Sequence, residues 1–261
     1  MTKRPVLALA LAALAVGTAG CDPRLDVGSD LLWTARFETN SFEEWTGSRF
    51  GGSVGATPMP PNTIALSNTR AHTGLYAAAL TIDAGSDGNI EAATMSLKEN
   101  LPTEAFYSAW YYLPHTTTVN NYWVIQKFRR RTDVADPSTE GELFDLDLYT
   151  LASGEMSFRV FDHRSGSNAP MVVDQPVVPV DRWFQVEARY RNTTDATGRL
   201  TVWLDGLEVI DLSGPSGPSP WVQWIVSSVG EDLTPSSNAL YVDDCAIGGS
   251  RIGPSGLLPG R

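Results

Sequence analysis

The clearest hydrophobic pattern in the chain is an alternation of apolar and polar residues from Trp183 to Leu212. Between residues 184 and 190 every second residue is apolar, and the same period returns between residues 200 and 204. A period of two places one set of side chains on a core and the other on an open face. Asp205-Gly206 then suits the positive φ angles of a tight hairpin. The stretch therefore predicts three consecutive antiparallel strands with one solvated face.

Short runs of the same kind recur along the chain, and no long segment has a helical period. Pro176 and Pro179 restrict residues 171–180 to an edge strand or a loop. We expect a loop at residues 47–62 and a second loop that opens at Arg129-Arg130-Arg131. The pattern predicts an all-β fold, a sandwich or barrel, in one domain over residues 31–250, followed by a flexible tail at 251–261. The other predicted strands are 31–37, 63–66, 76–82, 90–97, 106–113, 122–128, 144–149, 156–163, 221–229 and 240–247.

The first twenty residues are set apart from the fold. Lys3 and Arg4 precede an apolar run, Val6 to Val16, that is too short to span a bilayer comfortably. Small residues then lead to Cys21, an order that resembles a bacterial lipoprotein signal, in which the Cys is lipidated and becomes the new N-terminus. The resemblance implies a signal peptide at 1–20, a tether at 21–30 and a lipid anchor in the cell envelope, at the outer membrane, the cell surface or the inner membrane. An ordinary secretory signal cut nearby is the alternative.

The only other cysteine, Cys245, lies in an apolar run. With Cys21 acylated it has no partner, so we expect a buried, inert thiol without a disulfide.

The charge balance limits the class of ligand. The formal net charge is −11, and without the first twenty residues 17 basic residues face 30 acidic ones. This balance argues against a nucleic-acid binder, which needs a basic footprint. It also disfavours very anionic polymers unless a local basic patch, such as Arg129-Arg130-Arg131, overrides it. Acidic residues follow that run closely, so a solvated loop is the alternative there.

Four segments together carry a resemblance to a known fold family. They are FYSAWYYLP at residues 106–114, VIQKF at 124–128, the stretch from Asp181 to Gly206, and LYVDDCAIG at 240–248. They resemble the concanavalin A-like jelly rolls, in particular laminin-G-like glycan-binding modules and heparin- and alginate-lyase-like polysaccharide lyases. The resemblance implies a two-sheet antiparallel jelly-roll sandwich, covering residues 31–250, whose concave face receives a polysaccharide strand.

The lyase chemistry of that family is only partly matched. Elimination from a uronide needs a group that neutralises the carboxylate, a base and an acid. The lyases resembled here carry them on an Arg-x-Glu-x-Arg strand, a Gln-x-His strand and a late Tyr-Phe-Lys strand. Gln126 matches the glutamine, but Phe128 stands where the histidine would be. Residues 90–94 contain no arginine, and residues 226–230 contain neither tyrosine nor lysine. The sequence therefore assigns no catalytic residue, and a lyase with a divergent site is an alternative function.

Binding asks for less than catalysis: aromatic faces that stack on sugars, and planar polar groups that bond hydroxyls. The polar faces of the predicted strands supply both. For each residue the alternative is a solvated strand face, where a pair such as Asp147 with Arg159 only stabilises the sheet. We expect a lipid-anchored protein that binds a polysaccharide, the alternatives being the lyase and a structural or adhesion lipoprotein that contacts a protein. The candidate carbohydrate-binding residues are Gln126, Asp147, Tyr149, Arg159, His163 and Arg189.

No cofactor is required by this function, but a structural calcium is a hypothesis. Glu38, after the first strand, and Asp243, in the last, resemble the acidic residues with which β-sandwich carbohydrate modules hold such an ion. A full site needs about six oxygen ligands, and two unrelated surface acids are the alternative. A His-based metal site is not expected, because the three histidines are far apart in sequence.

Overall fold

The computed structural model describes residues 30–57, 61–133, 135–215 and 221–256. The predicted signal peptide, Cys21 and nearly all of the tether lie outside these residues. No helix among the described residues is long and apolar enough to cross a membrane. The elements in chain order are β1 Leu31–Ala35, α1 Glu43–Thr46, β2 Gly52–Ala56, β3 Thr63–Ser67, β4 Ala77–Asp83, β5 Glu91–Leu97, β6 Glu104–Tyr112, β7 Thr118–Arg131, a 3-10 turn Pro137–Thr139, β8 Glu140–Thr150, β9 Met156–Asp162, β10 Ser167–Asn168, β11 Trp183–Arg191, β12 Arg199–Leu204, β13 Leu207–Ser213, β14 Trp221–Thr234 and β15 Ser237–Gly248.

The strands form two antiparallel sheets. Sheet A has the order β13-β12-β11-β6-β15-β4-β3, with β1 also paired to β15. Sheet B has the order β10-β9-β8-β7-β14-β5-β2. The predicted two-sheet antiparallel jelly-roll sandwich is confirmed. The predicted hairpin is also present, since Asp205 and Gly206 both adopt positive φ, at 48° and 82°.

An aromatic layer between the sheets fixes their separation. The Phe128 ring of sheet B lies 4.7 Å from Tyr190 and 5.2 Å from Tyr107, both of sheet A, between ring centroids. The three side chains are almost completely buried, and each such ring buries roughly 150–250 Å² of surface. Nearby, the Tyr111 hydroxyl donates a hydrogen bond to Oε1 of Gln126 at 3.0 Å. The inward sets of both sheets therefore interdigitate across one continuous core.

Two segments that the sequence predicts to be loops contain β-strands. The arginine run is the last part of β7. Arg129 Nε lies 3.0 Å from Glu142 Oε1, and Arg131 forms an ion pair with Glu140, both on the neighbouring β8. Such cross-strand pairs stabilise a sheet, so the run is not the loop that its charge suggested. β2 lies within the predicted loop 47–62 as an edge strand of small residues, which leave no alternation to read. Residues 171–180 form only isolated bridges, as the prolines predict.

A bulge in β7 decides which of its side chains reach the outer face of sheet B. Val124 pairs with Asp147, whereas Gln126 pairs with Leu146, so Ile125 is the extra residue. A single extra residue reverses the alternation beyond it. Lys127 therefore shares the outer face with Val124, while Gln126 and Phe128 point into the core.

The beginning of the predicted flexible tail is packed against sheet A. Ile252 is 3% exposed, and its backbone N–H donates to Glu187 Oε1 at 2.7 Å. The N–H of Gly253 donates to Oε2 of the same carboxylate at 3.0 Å. Residues 251–256 thus cover part of the outer face of sheet A, and residues 257–261 lie outside the described residues.

Candidate functional site

A cleft of about 460 Å³ opens on the outer face of sheet B. Its floor comes from four adjacent strands, β7, β8, β9 and β14, and one wall comes from the segment before β5. We call it the sheet B cleft. Its lining residues are Ile90, Asn121, Tyr122, Val124, Lys127, Glu142, Asp145, Asp147, Arg159, Phe161, His163 and Val229.

The alternation of β8 and β9 delivers the charged groups to this cleft. Leu146 and Leu148 of β8 are fully buried in the core, so Asp145 and Asp147 point the other way. Asp147 pairs directly with Arg159 of β9. The strand pattern thus places acidic and basic side chains from neighbouring strands on one surface.

Each cationic side chain of the cleft is paired with a carboxylate of the cleft. Nε2 of His163 lies 2.9 Å from Oδ2 of Asp145. Nε of Arg159 lies 3.5 Å from Oδ2 of Asp147. Nζ of Lys127 lies 3.8 Å from Oε1 of Glu142. The cleft is therefore highly polar, but its positive charges are already balanced from within.

Asp147 is the most unusual carboxyl group of the cleft. Its side chain is 5% exposed, and its Oδ1 has no hydrogen-bond partner among the described residues. Burial raises its pKa to about 6, the charge of Asp145 adds to the rise, and Arg159 opposes it. The hydrogen bond that Nε2 of His163 donates to Asp145 raises the pKa of His163 in turn. Asp147 thus lines the cleft as a buried hydrogen-bond acceptor, and one of its two carboxylate oxygens has no partner among the described residues.

Aromatic groups complete the surface. The Phe161 ring meets the His163 ring edge to face, with 4.9 Å between centroids. Burial, followed by the charge of Glu231, raises the pKa of Tyr122 to about 12, so its phenol stays protonated at neutral pH and can donate a hydrogen bond. Rings beside hydrogen-bonding groups are what sugar recognition requires.

Three of the predicted site residues meet in the cleft: Asp147, Arg159 and His163. Tyr149 lies on the same face beside it, with the Arg159 guanidinium 5.3 Å from its ring centre. Gln126 was expected on the open face, and that expectation is wrong. The bulge turns it inward, where it is fully buried against Tyr111.

Arg189 does not join this surface, because β11 belongs to sheet A. On the outer face of sheet A its Nε donates to Glu104 Oε1 at 2.8 Å, and its guanidinium lies 6.0 Å from the Phe106 ring centre. The prediction that it shares a face with Asp147 and Arg159 is wrong, since alternation within one strand does not reveal which sheet the strand enters.

The predicted calcium ligands do not fit a metal ion. Both oxygens of Glu38 accept backbone N–H groups, from Leu75 at 2.9 and 3.0 Å and from Tyr76 at 3.0 Å. Oδ2 of Asp243 accepts the N–H groups of His72 and Thr73. Donors aimed at these oxygens occupy the positions a cation would need. Among the described residues no group of three or more acidic, His or Cys side chains is arranged to hold a metal.

Lys127, Tyr122 and Glu142 also line the cleft, although the hydrophobic pattern does not mark them. The pattern predicts Lys127 near the end of a core strand and Glu142 in a loop, because it shows neither the bulge in β7 nor the full length of that strand. Tyr122 begins an unbroken apolar and aromatic run, residues 122–125, so no alternation shows which face it occupies.

Comparison with known proteins is informative at the level of structure. The sequence matches no family model and no curated protein. The structure is similar to endo-β-1,4-glucuronan lyase from the fungus Trichoderma reesei, with a TM-score of 0.61 and 13% identity over 84% of this chain and 96% of that chain. It is also similar to an alginate lyase mutant in complex with alginate trisaccharide, with a TM-score of 0.58 and 13% identity over 84% and 98% of the two chains. A cellulose-induced protein gives a TM-score of 0.53 and 16% identity over 84% and 98%. At these identities the likeness shows the shared jelly-roll fold.

Proposed function

We propose that the protein binds a polysaccharide strand in the sheet B cleft, as a non-catalytic protein tethered to the cell envelope by a lipid on Cys21. The observation that carries the proposal is the cleft itself. Four neighbouring strands bring carboxylates, a guanidinium, an imidazole, a phenol and Phe161 to one open surface of about 460 Å³. Solved structures of similar fold include lyases that act on glucuronan and alginate, which supports a polysaccharide as the ligand.

Elimination chemistry fits this cleft less well than binding. A lyase must neutralise a uronate carboxylate, and the described cations of the cleft are already paired with carboxylates. A phenol whose pKa is about 12, as for Tyr122, is a weak candidate for the base that removes a proton at neutral pH. Gln126, the residue that matched the lyase pattern, lies in the core. A divergent lyase stays the second candidate, favoured by the shared fold alone.

The decisive experiment follows binding and elimination together. The chain with Cys21→Ser, which cannot be acylated, is tested by affinity electrophoresis against neutral, amino and uronic polysaccharides, and ultraviolet absorbance of each mixture is recorded. We expect retardation without new absorbance. Growing absorbance would show the unsaturated product of elimination and restore the lyase. Silence in both measurements would contradict the proposal and favour a protein partner.

The anchor is tested separately. Metabolic labelling with a fatty acid should mark the wild-type chain and not the Cys21→Ser variant. We expect the wild-type protein to partition with membranes of the envelope and the variant to appear in the soluble fraction. Equal partitioning of the two would contradict the lipid anchor and leave the glycan-binding proposal untouched.

A further inference from the structure

Resting on the proposed function, the geometry points to the class of polysaccharide. We propose that the sheet B cleft takes a strand without carboxylate groups and prefers one that carries amino groups. The ligand would then differ from the uronic polymers named for the structurally similar lyases.

The first step of the argument is the state of the cations. A polyuronate binds where lysine or arginine groups are free to meet its carboxylates. In the cleft, His163, Arg159 and Lys127 each face a carboxylate at 2.9, 3.5 and 3.8 Å. A uronate that bound one of them would have to share it with, or displace, the carboxylate that already balances its charge.

The second step is the unused hydrogen-bonding capacity. Three carboxylate oxygens of lining residues, Oδ1 of Asp145, Oδ1 of Asp147 and Oε2 of Glu142, are buried at the cleft floor without a hydrogen-bond partner among the described residues, against one such nitrogen, Nε of Arg159. Asp147 is the strongest case, since its side chain is more than nine-tenths buried. A ligand that donates hydrogen bonds would therefore complement these unpartnered acceptors. Hydroxyl and ammonium groups donate, whereas an ionised carboxylate only accepts.

The third step is the surface beyond the cleft. A second depression of about 460 Å³ shares Ile90 with it and is lined by Asp83, Asp87 and Glu91 among other residues, with no lysine or arginine. None of these three carboxylates forms an ion pair within the described ranges. A polymer that leaves the cleft past Ile90 therefore enters a negative field, which attracts ammonium groups and repels uronates.

The test compares three oligosaccharides of equal length, from glucan, chitosan and glucuronan, by titration calorimetry with the full chain. We expect chitosan to bind most tightly, glucan next and glucuronan at least about tenfold more weakly than glucan. Added salt should weaken chitosan binding several-fold and leave glucan binding unchanged, since screening acts on charges. Glucuronan binding as tightly as glucan would overturn the inference while sparing the proposed function. Binding of none of the three would count against the proposed function itself.

A matched pair of variants locates the selectivity. Asp147→Asn removes one charge at nearly constant shape and should lower chitosan affinity about tenfold without weakening glucuronan. Glu208→Gln removes one charge from β13 of sheet A and should change neither. Thermal melts of both variants establish that they are folded. If folded Asp147→Asn keeps the wild-type affinity for chitosan, the inference is wrong.

Discussion

The two outer faces of the sandwich carry similar kinds of residue but differ in what covers them. On sheet A, the backbone of residues 252–253 meets Glu187, and the Arg251 guanidinium lies 4.5 Å from the Trp203 ring centre. On sheet B, Asp147 is just as deeply set, yet one of its oxygens has no partner among the described residues. The comparison teaches that charge and aromatic content do not mark a binding face. Unmet hydrogen-bonding capacity beside open space does.

At the other end of sheet A the buried carboxylates also have hydrogen-bond partners. The His72 ring stacks on Trp110, with 3.8 Å between centroids, and its Nδ1 lies 2.7 Å from Oδ2 of Asp244. Asp243 accepts the backbone N–H groups of the same loop. Burial and the adjacent Asp244 raise the pKa of Asp243 to about 7. A carboxyl group with a raised pKa therefore occurs on both faces, and the one on sheet B lines a cleft.

The largest effect should come from opening the closed face. Glu187→Ala leaves the N–H groups of Ile252 and Gly253 without their acceptor. We expect the free energy of unfolding to fall by about 2–3 kcal/mol, within the usual range for hydrogen bonds to a charged group. Urea denaturation measures it. Glu208→Ala, on the same sheet and without a hydrogen-bond or ion-pair partner among the described residues, should stay within about 0.5 kcal/mol of the wild type. Equal losses in the two variants would break the distinction between covered and uncovered positions on sheet A.

In the sheet B cleft, removal of a carboxylate should raise the stability of the protein instead of lowering it. The pKa of Asp147 is raised to about 6 from an ordinary 3.8, so its ionisation opposes folding. Below pH 3.8 both states are protonated and nothing is lost; as pH rises from 3.8 to about 6 the unfolded state releases its proton first, and stability falls. Asp147→Asn should therefore be more stable than the wild type by about 1–3 kcal/mol at pH 7, with the Arg159 charge reducing the gain.

Urea midpoints of the wild type and Asp147→Asn at several pH values check this prediction. The two curves should converge toward pH 4 and separate up to pH 6. A constant offset across that range would show that Asp147 does not titrate as described.

Binding should separate two arginines that look alike in sequence. Arg159 lines the cleft, whereas Arg189 lies on sheet A with Glu104. Arg159→Ala removes a hydrogen-bond donor from the cleft, and we expect affinity for an uncharged glucan to fall about five- to tenfold, or about 1 kcal/mol. Arg189→Ala should leave affinity within twofold. Affinity electrophoresis on one polysaccharide measures both, and a larger loss for Arg189→Ala would place the site on the wrong sheet.

The sequence was sufficient for the fold and for part of the site. Alternation predicted β8, β9 and β11, and it placed Asp147 and Arg159 on one face, because both strands are regular and border each other. It failed at Gln126, where one extra residue in β7 reverses the pattern. It also failed at Arg189, since pairing across sheets depends on contacts between distant segments. Periodicity shows which side chains of a regular strand share a face. Bulges and strand order depend on how the strands pair in the assembled sheets, so periodicity does not show them.

The smallest effect concerns the pair of His163 and Asp145. The hydrogen bond that the His163 ring donates to Asp145 is the main reason that the pKa of His163 is raised, while burial acts against it. The stability that the pair contributes is fully present below the ordinary histidine pKa of 6.5 and is lost as pH rises through the raised value. Because the imidazole is 31% exposed, we expect this contribution to be only about 0.5 kcal/mol. NMR titration of the ring protons should give a midpoint above 6.5 in the wild type and a lower midpoint in Asp145→Asn, where burial and Lys127 still lower the pKa and only Glu142 raises it. With Glu208→Gln the midpoint should not move. A midpoint unchanged by Asp145→Asn would mean that the cleft's imidazole is not held by this carboxylate, and His163 would then be a free cation available to a uronate, against the ligand class inferred for sheet B.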